Sequence, residues 1–116
     1  MRCFYRLQIV ADNDAFLSIS QVLGVDSTEP EGFWILELTE EASDPYSDPF
    51  NKFLDILEGK YEALAILGIQ RSNISVWTLY EYDNQCNMEF LPREMKRLGE
   101  NGIVLCVSCW DSGIED

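Results

Sequence analysis

The chain has 116 residues, of which 47% are hydrophobic, enough for one folded core and too little for two. It carries 21 Asp and Glu against 8 Lys and Arg, a formal net charge of −13. That balance excludes a surface for nucleic acid or anionic membranes, both of which need a positive field, and it favours salt-sensitive encounters with basic partners.

The charge is also unevenly placed. Between Arg6 and Lys52 there is no basic residue, while ten acids fall there: Asp12, Asp14, Asp26, Glu29, Glu31, Glu37, Glu40, Glu41, Asp44 and Asp48. Such asymmetry predicts an acidic region of surface. The start of the chain carries charge where a signal peptide turns apolar, and no apolar run reaches the length of a membrane span. The chain reads as a protein of the bacterial cytoplasm, where its four cysteines, Cys3, Cys86, Cys106 and Cys109, stay as thiols.

Residues 4–11 alternate apolar and mixed side chains and read as a strand. Asp12 and Asn13 offer capping groups for a helix over 14–23, with Phe16, Ile19, Val22 and Leu23 on one stripe and Gly24 as its stop. After a polar turn at 26–32, residues 33–39 read as a strand, with Trp34, Leu36 and Leu38 on one face and Phe33, Ile35 and Glu37 on the other. Residues 40–47 read as an acidic loop.

Asp48-Pro49 is a helix start, a capping carboxylate followed by proline at the first helical position. Phe50, Phe53, Leu54 and Leu57 form the buried stripe of that helix, which Gly59 ends. A second helix is predicted over 61–67, carrying Leu64 and Leu67. Residues 74–82 are the most β-prone run. A turn at 83–85 leads to a short edge strand over 87–91. Pro92 opens a helix to Leu98, with Met95 and Leu98 inward. Residues 103–110 form a nearly continuous apolar run, which predicts a central strand covered on both faces.

The order β-α-β-α-α-β-β-α-β predicts a single α+β domain over residues 1–116. It has two layers: a mostly antiparallel sheet of four to five strands with helices on one face. The other face would carry Phe4, Phe33, Ile35, Tyr80 and Tyr82. Aromatic patches of that kind mark partner surfaces. The predicted protein-binding residues are therefore Phe33, Ile35, Glu37, Glu40, Glu41, Asp44, Tyr80 and Tyr82.

The chain has no histidine, which removes the usual general base and the commonest metal ligand. Cys106-Val-Ser-Cys109 matches C-x-x-C but lies within a strand, where residues three apart point to opposite faces. The pair reads as two buried small hydrophobes, with Cys86 in a distant turn. No catalytic, cofactor-binding or metal residues are expected, and an enzyme is not.

The helix end Ser20-Gln21-Val22-Leu23-Gly24-Val25-Asp26-Ser27-Thr28, the strand Gly32-Phe33-Trp34-Ile35-Leu36-Glu37, the helical pair joined at Glu58-Gly59-Lys60 ahead of an aromatic strand, and Asn87-Met88-Glu89-Phe90-Leu91-Pro92 leading into a helix, Leu98-Gly99 and a terminal apolar strand resemble a family of bacterial domains of unknown function, family 4279. The resemblance covers about residues 4–110 and departs from the family pattern at Ser27, where proline is common. It implies a compact α+β fold and brings no activity. Small acidic proteins that look like this also occur as immunity proteins beside toxins. The expected function is an acidic protein-binding module, an immunity or inhibitor protein that masks a basic, toxin-like partner. The alternative is a structural or homodimerisation domain with no catalytic role, so monomer and homodimer both stay open.

Overall fold

In the computed structural model, which describes residues 2–39 and 48–111, four strands form one sheet with four α-helices. The strands are β1 (Arg2–Ile9), β2 (Trp34–Thr39), β3 (Ile74–Tyr82) and β4 (Val104–Asp111), in the order β2-β1-β3-β4. β1 pairs antiparallel with both β2 and β3, and β4 joins β3 in parallel. The α+β, mostly antiparallel expectation of four to five strands holds, with four strands among the described residues.

The core forms on one side of the sheet. Leu7 lies opposite Leu36 and Val76, and Ile9 opposite Trp34 and Ile74, so alternate residues of three strands share a face. These residues pack into one buried cluster with the helices. Phe16, Ile19 and Leu23 come from α1 (Phe16–Leu23), Phe50, Phe53, Leu54 and Leu57 from α2 (Pro49–Leu57), Leu64 from α3 (Tyr61–Ile66), and Leu98 from α4 (Pro92–Asn101). Trp34 is fully buried and its indole Nε1–H donates to Ser20 Oγ at 3.1 Å, tying β2 to α1. Asp48 caps α2 as its sequence predicts: Asn51 N–H donates to its Oδ1 at 3.2 Å.

Several expectations are corrected. β1 starts earlier and ends at Ile9. Asp12 makes no side-chain cap; a 3-10 turn over Asn13–Ala15 precedes α1. Residues 87–91 form no strand; between β3 and β4 the described residues pair only in the tight turn Asp83–Gln85. α4 runs through Gly99 and stops at Gly102, whose φ of 69° is the left-handed conformation that ends a helix without strain for glycine. Met95 is exposed rather than inward.

The largest correction is β4. It is an edge strand, with Val104 55% and Trp110 39% exposed, although its composition reads as central. A parallel partner needs a crossover, here α4, and α4 covers one face of β4 only in part. The interior positions belong to β1 and β3.

Candidate functional site

Sheet register places each predicted binding residue. Even-numbered residues of β3 face the helices, since Ile74 and Val76 are in the core; Tyr80 and Tyr82 follow them onto that same side. They do not join Phe33, Ile35 and Glu37, whose positions follow the opposite face. The expectation of one aromatic surface including Tyr80 and Tyr82 is therefore wrong. Ile35 is also not available, being only 6% exposed. The segment before β2 runs along its outer edge: Thr28 N–H donates to Ile35 O, Ile35 N–H to Ser27 Oγ at 3.1 Å, and Glu37 N–H to Thr28 Oγ1 at 3.1 Å. Glu37 has a partner as well, an ion pair with Arg6 at 3.0 Å. Glu40, Glu41 and Asp44 lie outside the described residues.

Phe33 remains, 46% exposed, and the structure surrounds it with residues the sequence reading did not group. Ile9 pairs with Trp34, so Val10 and Phe33, the next residues along that register, emerge at the same end of the sheet. Val10 is 48% exposed. Asn13 Oδ1 accepts a hydrogen bond from Gly32 N–H at 2.9 Å, which ties the turn after β1 to the loop before β2. Asp12 and Asp14 flank Asn13, and Glu31 adjoins Gly32; all three acids are exposed, as is Glu29. Two exposed apolar side chains thus share one end of the molecule with four exposed carboxylates. Asn13 precedes a helix, as a cap would, but its side chain serves as a cross-loop clasp.

The cysteines are also rearranged. Cys106 and Cys109 do point to opposite faces, but Cys109 is exposed and Cys106 half-buried, so neither is a core side chain. Cys86 is not distant: its thiol lies near enough to that of Cys109 for the two to influence each other. Desolvation first, then that contact, pushes the Cys86 thiol above its ordinary pKa. Among the described residues, no group of three His, Cys, Asp or Glu side chains is placed to hold a metal ion.

Tyr61, at the start of α3, donates its hydroxyl to Asn101 Oδ1 at 2.8 Å and lies under the Arg71 guanidinium, 4.1 Å from the ring centre. Burial raises its pKa and Glu58 adds to the rise, while Arg71 and Arg97 oppose it. These contacts join α3 to α4 and are structural.

Comparison with protein-family models, with curated proteins and with solved structures finds no match. No helix among the described residues is long and apolar enough to cross a membrane.

Proposed function

We propose that the protein is a binding module that docks a basic protein through the acid-bearing end of its sheet. The observation that carries this reading is the Asn13–Gly32 clasp, which ties the turn bearing Val10 and the exposed Asp12 and Asp14 to the loop bearing the exposed Glu29, Glu31 and Phe33. The sequence between residues 7 and 51 that supplies those acids holds no Lys or Arg. Carboxylates at the rim steer a cationic partner, and an exposed ring supplies the anchor that holds it. An immunity or inhibitor protein of the cytoplasm, masking a cationic active site, is the form of binding module this surface fits best.

The test is capture of partners from native lysate at about 50 mM and about 500 mM salt, a range over which the screening length falls severalfold. A basic protein should be retained at low salt and released at high salt. The combined substitution Asp12→Asn, Asp14→Asn, Glu29→Gln and Glu31→Gln should abolish retention, and Phe33→Ala should speed dissociation. Equal retention by the neutralised variant would end the proposal.

A second reading, homodimerisation, draws on the β4 edge. Val104, Val107 and Trp110 are exposed on a strand with one sheet neighbour, and such edges pair with other chains. Light scattering across a concentration series separates the readings. A dimer lost in Val107→Lys supports self-association, and a monomer at every concentration removes it.

A further inference from the structure

At the opposite end of β1 from the acid-bearing surface lies a cavity of about 200 Å³. Val10 and Cys3 are seven residues apart, roughly 23 Å at about 3.3 Å per residue, so the two features are separate. The cavity floor is two cross-strand pairs, Cys3–Tyr80 and Tyr5–Thr78, on the helix side of β1 and β3. Phe50 of α2 and the extended segment 87–90 form its walls.

We propose that this cavity binds a small alkylated ammonium ion carrying one hydrogen-bonding group. Four aromatic residues line it, Tyr5, Phe50, Tyr80 and Phe90. The Tyr5 and Phe50 rings stand nearly perpendicular, at 85° and 5.9 Å, and Phe90 is tilted 39° from Phe50 at 6.2 Å. Rings set at such angles give the cavity an angular aromatic wall rather than a flat stack, which suits a compact ligand. The negative faces of aromatic rings attract cations, most strongly those too weakly hydrated to prefer water.

Charge selects the same ligand. Among the described lining residues Glu89, which is exposed, is the single carboxylate, and none is Lys or Arg. An anion meets repulsion there, and a neutral molecule gains nothing from Glu89 or from the −13 net charge. Size limits the ligand too, because drug-sized pockets start near about 300 Å³. Finally, Thr78 is only 4% exposed, and its Oγ1 has no hydrogen-bond partner among the described residues. A buried hydroxyl is normally paired. Thr78 lies in the floor of the cavity, so a rotation of its side chain that turns this hydroxyl toward the opening would let it bond a ligand hydroxyl or N–H.

The probes are choline chloride, tetramethylammonium chloride and dimethylbutanol, the uncharged carbon isostere of choline, at matched ionic strength. Calorimetry and the ring-current shift of the probe methyl resonances report binding. Choline should saturate the protein about tenfold more tightly than its isostere, as expected for a cation held by several rings. Tyr80→Leu should weaken choline by about tenfold, and the exposed change Glu89→Gln, which leaves the fold alone, by about threefold. Thr78→Val keeps the side-chain shape and should remove the preference for choline over tetramethylammonium. An isostere that binds as tightly as choline, no saturation by any probe, or unchanged affinity in Glu89→Gln would overturn the proposal.

Discussion

Thr78 carries a buried hydroxyl at a position where strand geometry asks only for a β-branched side chain. Leaving such a group unpaired costs about 1–3 kcal/mol. Thr78→Val should therefore raise stability, by about 1 kcal/mol, where most buried substitutions lower it. Urea unfolding monitored through the buried Trp34 reads the change, and a destabilised variant would mean the hydroxyl is bonded in solution. Asp48 gives the opposite case. Its carboxylate caps α2 behind Pro49, and Asp48→Ala should cost about 1 kcal/mol in the same assay. No loss would mean that proline alone fixes the helix start.

At the scale of the element, α4 shows what connects the two halves of the sheet layer. Arg97 donates from Nη1 to Asn51 Oδ1 and from Nη2 to Asp55 Oδ1, both at 2.7 Å, binding α4 to α2. The helix must then stop sharply so that Ile103 can enter the core and β4 can start. Gly102 makes that stop with a φ of 69°, and a Cβ there would also meet Arg71 Cδ at 3.5 Å. Gly102→Ala should lower stability by about 1–2 kcal/mol through left-handed strain; thermal unfolding measures it, and a neutral result would show that the turn relaxes. Local signals of this sort were legible in the sequence. Asp48-Pro49 and Gly24 mark their helix ends, and the stripe Phe50, Phe53, Leu54, Leu57 is the buried face of α2. Strand position was not legible. An apolar run such as 103–110 satisfies a central strand or a parallel edge strand equally, and only pairing with β3 decides. Register carried the same ambiguity into the candidate site, because the face of Tyr80 depends on which β3 residues meet Leu7 and Ile9. The clasp between Asn13 and Gly32 is a contact across 19 positions that no local pattern encodes.

For the whole molecule, two groups with raised pKa among the described residues, Cys86 and Tyr61, shape how stability responds to alkali. Cys86 and Tyr61 both hold their protons more tightly folded than unfolded, Cys86 through desolvation and its contact with Cys109, Tyr61 chiefly through burial. A raised folded pKa stabilises the protein fully below the unfolded value and loses that contribution as pH climbs through the folded one. The unfolded thiol titrates near 9.0 and the unfolded phenol near 10.0. Stability should therefore hold on the neutral side of pH 9 and decline above it, first with the thiol and then with the phenol. The excess of 21 acids over 8 bases deepens the decline, since every proton lost adds to a net charge already at −13. Denaturant unfolding at half-unit pH steps from 7 to 11 separates the contributions. Cys86→Ser should delay the onset of the decline, and Tyr61→Phe should flatten its upper limb while lowering the neutral plateau by about 1 kcal/mol for the lost Asn101 bond. Added chloride salt should recover the part due to general repulsion, because it screens charges exposed to solvent. A decline unchanged in both variants and cancelled by salt would assign alkaline instability to net charge alone.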